Sequence, residues 1–268
     1  VDENNQLHFT NEVTKDIFGD YNSRILEINS KTGLYPLYVA YSLYRYRMPN
    51  YAAVELVTDL DSCSIEEEQV IWDDILKHNI YVICNTPMAA RITKRTLCGF
   101  RDVTHINIKS DKLVERATTD KDALVKAIKT VGYWEGTTKK DMIKFAAVVG
   151  NPPYQEEGLN TRKAPIYHHF YNLAFDLAEK TTLITPGRFL YKAGQTPKEW
   201  MDKILNDKHF KVVRYFQDSS DVFPSVEIKG GVNYFLYSDK YNDMCDYTMH
   251  QNGIAVCQRI FLNSYGLG

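Results

Sequence analysis

The sequence of 268 residues is short of cysteine, lacks any long apolar run and carries no excess of charge of either sign. Each shortage excludes something. Its five cysteines (Cys63, Cys84, Cys98, Cys245 and Cys257) are odd in number and form no Cys-x-x-Cys pair. That argues against a disulfide framework or a zinc site, and it fits a reducing cytoplasm. No apolar stretch approaches the ~20 residues that cross a bilayer, so no membrane span is expected. The first residues, Val1-Asp2-Glu3-Asn4-Asn5-Gln6, lack the basic-then-apolar order of a secretion signal. No initiator Met opens the chain, which is consistent with a piece of a longer polypeptide. Basic residues number 32 against 34 acidic, a net charge of −2. A whole-molecule basic footprint for nucleic acid is therefore absent, which leaves room only for a local patch.

What is present is an ordinary globular composition, 44% hydrophobic and 25% charged, which excludes a disordered or collagen-like chain. Tyr (19) and Phe (12) are abundant. Tyr is common at recognition surfaces, but most of these rings are expected in packing.

Apolar runs rich in β-branched residues alternate with helical patterns. The candidate strands are Arg24–Ile28, Asn79–Cys84, Thr104–Ile108, Ile143–Val149, Thr181–Thr185, Lys211–Phe216 and Gly231–Tyr237. Helical periodicity covers Leu34–Arg47, Ile65–Lys77, Pro87–Leu97, Lys121–Lys129, Pro165–Glu179 and Pro197–Asn206. Alternating strands and helices predict an α/β fold: a doubly wound, mainly parallel seven-stranded sheet. The last two strands have no helix between them and predict a closing antiparallel hairpin. Met48–Ser64 has no clear period and reads as an insertion or lid.

Open parallel sheets bind ligands beyond the carboxyl ends of their strands, so the loops after each strand carry the functional information. After the fourth strand comes Gly150-Asn151-Pro152-Pro153-Tyr154-Gln155. Two prolines stiffen this loop and remove two backbone donors, freeing carbonyls for a ligand. The Asn151 side-chain oxygen and a neighbouring carbonyl can both accept from one exocyclic amino group. The Tyr154 ring offers a face for a planar base, worth ~1–3 kcal/mol. A rigid strand-ending turn is the bland alternative. Yet the tetrapeptide arises by chance in a chain of this length only on the order of once in a thousand.

Asn151-Pro152-Pro153-Tyr154, with the preceding Ile143-Lys144-Phe145-Ala146-Ala147-Val148-Val149-Gly150, resembles the catalytic motif of amino-methylating DNA methyltransferases, most of which act on adenine N6. Pro165-Ile166-Tyr167-His168-His169-Phe170, Leu183-Ile184-Thr185-Pro186-Gly187-Arg188-Phe189 and Val226-Glu227-Ile228-Lys229-Gly230-Gly231-Val232 resemble the subgroup found in restriction–modification systems, often fused to a nuclease or helicase. The resemblance implies a Rossmann-like methyltransferase fold, S-adenosylmethionine as cofactor, double-stranded DNA as partner, and recognition, nuclease or helicase domains in the same longer polypeptide. It implies catalysis by Asn151, Pro152, Pro153 and Tyr154. It also assigns the cofactor to Glu27 and Gly33 in the first loop, Asn85 after the second strand and Asp111 after the third. Lys31 stands where the family has glycine, and Ala146 where it commonly has an acid. The expected organisation is an N-terminal helical segment (1–20), a catalytic domain (21–240) and the start of a truncated linker or recognition region (241–268).

Other constellations rank lower. Arg91, Lys94 and Arg95 share a predicted helix face and form a candidate DNA-phosphate patch, with a solvated surface helix as the alternative. Arg162 and Lys163 follow the catalytic loop and are candidate DNA contacts. The pair His168-His169 has no third ligand at useful spacing, so no metal site is expected. Two rival functions stay open: a DNA-binding scaffold that has lost its cofactor, and a metal-dependent nuclease built on Asp221, Glu227 and Lys229.

Overall fold

The computed structural model describes residues 15–54, 65–156 and 163–264. A short helix α1 (Lys15–Phe18) leads into β1 (Ile25–Ile28), followed by α2 (Leu34–Val54) and α3 (Ile65–His78). Then come β2 (Ile80–Cys84), α4 (Pro87–Cys98), β3 (Asn107–Ser110), and the short helices α5 (Leu113–Thr119), α6 (Lys121–Ile128) and α7 (Val131–Glu135). The second half runs β4 (Phe145–Gly150), α8 (Tyr167–Leu177), β5 (Ala178–Pro186), α9 (Lys198–Leu205), β6 (Phe210–Phe216), β7 (Val232–Ser238), β8 (Cys245–Gln251) and β9 (Ile254–Ile260).

All nine strands form one sheet in the order β3-β2-β1-β4-β5-β7-β6-β8-β9. The first five in this order are parallel. β7 then inserts between β5 and β6, antiparallel to both, as the expected hairpin. The expected seven strands are corrected to nine in a mixed sheet: β8 lies parallel to β6, and β9 antiparallel to β8. Residues 245–260, expected beyond the catalytic domain, thus extend its sheet. Asn252 and Gly253 make the two-residue turn between these strands, both with positive φ, as a type I′ hairpin requires.

Strand alternation sorts side chains onto two faces. Ile25, Val82 and Ala147 pack with Leu43 of α2, Ile75 of α3 and Leu97 of α4. Leu26, Ile83 and Val148 pack on the other face with Leu113 of α5, Leu124 of α6 and Phe170 of α8. Helices therefore cover both faces, the doubly wound arrangement. Among the described residues six tyrosines are buried, fewer than expected, and beneath β5–β7 the Tyr171 ring stacks on Phe235 at 4.8 Å. Buried hydroxyls there are paired, Tyr171 with Thr185 and Tyr167 with Thr196, each at 2.7 Å.

Two local expectations shift. β3 begins at Asn107 rather than Thr104, because His105 takes a left-handed conformation (φ 59°) incompatible with an extended strand. Residues 48–54 of the expected insertion continue α2, although Pro49 withdraws one donor. Residues 55–64 lie outside the described residues. Among the described residues no helix is long and apolar enough to cross a membrane.

Candidate active site

The loops after β1 and β4 meet at the carboxyl edge of the sheet. Gly150 ends β4 in register with Ile28 of β1, so Asn151 and Asn29 emerge side by side. Asn29 adopts a left-handed backbone (φ 65°), which asparagine tolerates better than most residues. Its Nδ2 donates to the Asn151 carbonyl at 3.0 Å. Asn151 also shares a side-chain hydrogen bond with Tyr35, which pulls the Tyr35 hydroxyl down while burial pushes it up more strongly. The Asn151–Tyr154 loop is thus held from both the first loop and the start of α2.

That loop divides two cavities. On the β5–β7 side lies one of about 640 Å³, lined by Asn151–Tyr154 together with Lys31, Arg188, Phe223 and Lys229. On the β2–β3 side lies one of about 420 Å³, lined by Asn85, Lys112, Val114, Pro153 and Ile166. Pro153 and Gln155 line both. The Tyr154 hydroxyl is buried without a hydrogen-bond partner, and burial drives its pKa up. The ring, and not the hydroxyl, is the useful part of this residue.

The first loop is pinned to α4. Ser30 Oγ and Thr93 Oγ1 lie 3.1 Å apart, and Gly33 N donates to Ser30 Oγ at 3.2 Å. A Cβ on Gly33 would stand 3.0 Å from the Thr93 Cα, so glycine is required here for packing against α4. Glu27 is 2% exposed, its Oε2 has no partner, and burial raises its pKa to about 8 against a weaker opposing bond from Ser30.

Lys31 and Ala146 depart from the family pattern. Lys31 reaches the larger cavity and does not line the smaller one. Ala146 is the second residue of β4, four residues before Gly150 and about 13 Å from the carboxyl edge.

Asn85 Oδ1 accepts from Val114 N at 3.3 Å, so it caps the approach to α5 at the cavity wall. Asp111 is more heavily engaged than its sequence position suggests. Its carboxylate bonds Arg116, accepts from Tyr133 Oη at 2.8 Å, and accepts from Lys112 N at 2.8 Å. It braces α5 and α7 beside the smaller cavity.

The remaining candidates separate. Arg91 and Lys94 line a different cavity with Asp102 and His105, while Arg95 bonds Gly99 O at the end of α4 and lies over the Phe100 ring. Lys163 is exposed beside the catalytic loop, because a bridge between Gln155 and Pro165 turns the chain back there. Arg162 lies outside the described residues. Burial lowers the His168 pKa to about 4, with its ring packed on His169 and Trp200. No group of three or more acidic, His or Cys residues suited to a metal occurs among the described residues. Asp221 is exposed, whereas Glu227 and Lys229 line the large cavity.

Arg188, Phe223 and Asn29 were not anticipated as site residues. Arg188 lay within a quoted motif, but only the docking of the β5 turn on the loop before β7 brings it to the cavity. Phe223-Pro224, a rigid aromatic pair just before Glu227, was the available signal for the far wall.

The model of the Eco57I restriction-modification methylase family matches residues 78–223, more than half of the chain. An "uncharacterized adenine-specific methylase" of Mycoplasma pneumoniae is 36% identical over 111 residues, covering 39% of this chain and 26% of that protein. Among solved structures, a modification subunit of a putative type I restriction enzyme from Vibrio vulnificus superposes with a TM-score of 0.51 at 13% identity, over 87% of this chain and 44% of that one. The type IIL restriction-modification enzyme MmeI, solved in complex with DNA, gives 0.54 at 10% identity, over 89% and 34%. The chain thus spans about a quarter of the M. pneumoniae protein and less than half of either structure, whose likeness is one of fold. The chain belongs to the Eco57I restriction-modification methylase family.

Proposed function

We propose that this chain is the catalytic domain of a restriction–modification DNA methyltransferase that methylates the N6 amine of adenine from S-adenosylmethionine. The observation that carries the reading is the Asn151–Tyr154 loop standing as the partition between two cavities at the carboxyl edge of the sheet. A reaction between a base and a cofactor needs such a partition, with the polar groups of the loop at the meeting point.

The residues on the smaller-cavity side fit the cofactor. Glu27, beside the first loop and outside the lining of either cavity, adds a buried carboxyl oxygen with no partner for a ligand ammonium. Asn85 and Pro153 provide polar and apolar walls for an adenosine, with Asp111 bracing them from behind. Bound there, the cofactor supplies an electrophilic methyl group on a sulfonium.

A base stacked in a duplex presents its amine edge-on, so the target adenine leaves the stack at a cost of a few kcal/mol. The larger cavity takes it, and stacking on the Tyr154 ring offsets part of that cost. The Asn151 side-chain oxygen and the Pro152 carbonyl accept the two amine hydrogens. This draws the nitrogen towards tetrahedral geometry and directs its lone pair across the partition. The side-chain bond to Tyr35 fixes the orientation of the Asn151 amide. Catalysis by these groups is positioning and electrostatics, with no covalent intermediate on the protein. Double-stranded DNA is the partner in this reading, and recognition and cleavage belong to other parts of the same polypeptide.

The test is incubation of the chain with methyl-labelled S-adenosylmethionine and unmethylated duplex DNA, followed by digestion to nucleosides. Label in N6-methyldeoxyadenosine is expected. Label only in cytosine, or in no nucleoside at concentrations that saturate DNA binding, contradicts the reading.

A further inference from the structure

The larger cavity holds a cation that the folded chain leaves without an oxygen partner. Arg188 is half-buried, and its Nε is wholly buried with no hydrogen-bond acceptor. Other partly buried arginines are paired: Arg47 with Asp74, Arg101 with Asp73, Arg116 with Asp111, and Arg214 with the Asp246 carbonyl. The Arg188 guanidinium makes no hydrogen bond or ion pair among the described residues. A guanidinium withdrawn from water without a counter-charge costs free energy, which a bound anion returns.

The surroundings hold Arg188 in place. Asn233 Nδ2, fully buried on β7, donates to the Thr185 carbonyl and hydroxyl at 3.0 Å each and to the Pro186 carbonyl at 3.2 Å. Gly187 N donates to the Gly231 carbonyl at 2.9 Å, which docks the Pro186-Gly187-Arg188 turn on the loop before β7. Two glycines then close on the arginine itself. A Cβ on Gly230 would stand 2.8 Å from the Arg188 Cβ, and one on Gly194 2.7 Å from its Cδ. Both sequence stretches singled out around β5 and β7 thereby serve to present one side chain.

Its neighbours in the cavity are Lys31 and Lys229, opposed by one acid, Glu227. In a chain of net charge −2, three cations to one carboxylate is a local positive site. We infer that Arg188 binds a DNA backbone phosphate flanking the target nucleotide, with Lys31 and Lys229 adding to the field. The planar guanidinium fork matches two phosphate oxygens. Such a contact fixes the strand beside the displaced base, so that the adenine enters against Tyr154 in one register. The inference rests on the methyltransferase reading and names how the same site grips its DNA.

The experiment measures binding of the chain to a short duplex in which one adenine faces an abasic site, with the phosphates flanking that adenine replaced singly by neutral methylphosphonate. Replacing the contacted phosphate is expected to weaken binding by the native chain roughly tenfold. Arg188→Met is expected to lose a similar factor on the natural duplex and to become indifferent to the same phosphate replacement, the signature of a direct pair. Its affinity should also fall less steeply with salt, by close to one unit of slope. The phosphate series on the native chain needs no variant, so a folding defect in Arg188→Met leaves the test intact. Three results overturn the inference: indifference of the native chain to both replacements, undiminished sensitivity in Arg188→Met, or no measurable duplex binding. A loss of S-adenosylmethionine affinity instead of DNA affinity assigns the guanidinium to the cofactor's carboxylate and overturns it too. Failure of the methyltransferase reading shows separately, as absence of N6-methyladenine with the phosphate effect still present.

Discussion

The Asn29 side chain donates to the Asn151 backbone carbonyl across 122 residues of sequence, tying the first loop of the sheet to the Asn151–Tyr154 loop. Asn29 makes this bond from a left-handed conformation, φ 65°. The two loops are therefore mechanically one unit.

Replacement of Asn29 separates the two demands on it. Asn29→Gly keeps the conformation and removes the bond, and an expected loss of about 0.5–1.5 kcal/mol follows from the hydrogen bond alone. Asn29→Ala adds the cost of a Cβ in the left-handed region, about 1 kcal/mol more. Urea midpoints of the three proteins check the order Asn, Gly, Ala. Equal midpoints for Asn and Gly would remove the bond from the account.

Tyr154 carries a second expectation, because its hydroxyl is buried without a partner. Tyr154→Phe removes a polar atom that makes no bond, so stability is expected to hold or rise by up to ~1 kcal/mol, with methyl transfer retained. Tyr154→Ala loses the stacking face and is expected to weaken capture of the displaced adenine by ~1–3 kcal/mol. Thermal unfolding and single-turnover transfer, measured on both variants, distinguish ring from hydroxyl. A Phe variant as impaired as the Ala variant would contradict the assignment.

Glu27 makes stability depend on pH. Its carboxyl titrates near 4.5 when unfolded and near about 8 when folded, since burial disfavours the charge. Between these values the folded chain holds a proton that the unfolded chain has lost, so stability declines as pH rises through the window. The slope is at most about 1.4 kcal/mol per pH unit. Glu27→Gln removes it. Urea unfolding at several pH values from 5 to 8 should give a shallower decline for the variant, and identical declines would place the titration elsewhere.

Asp111→Ala tests the brace behind the smaller cavity. Three bonds are lost, to Arg116, Tyr133 and Lys112 N, and the Arg116 charge is left unpaired. Stability is expected to fall by roughly 2–4 kcal/mol, and S-adenosylmethionine affinity to fall with it. Calorimetric titration alongside thermal unfolding reads both. Unchanged cofactor affinity would detach Asp111 from the cofactor pocket.

How much of this was legible in the sequence follows from the range of the interactions. β1, β2 and β4 are near-continuous apolar runs, and their positions emerge within a residue or two because burial on both faces leaves a local signature. β9 opens with the apolar run Ile254-Ala255-Val256-Cys257 yet is exposed along almost its whole length, and it lies beyond the expected catalytic domain, with Asn252-Gly253 as its local turn signal. β3 moved because His105 takes a conformation that no periodicity reveals. The catalytic loop was readable because four adjacent residues carry it. Arg188 was not, since its place depends on Gly194, Gly230 and Asn233, which come together only in the fold. The bonds of Asp111 to α5 and α7 depend on short helices that the sequence does not place beside it.

The most direct test of the central claim is single-turnover transfer of labelled methyl to duplex DNA by Asn151→Ala, with protein in large excess and cofactor binding measured in parallel. Asn151 is assigned to the target amine, so transfer is expected to fall at least a hundredfold, about 2.7 kcal/mol, while S-adenosylmethionine binds almost as it does to the native chain. Transfer by Asn151→Ala at the native rate would contradict the account.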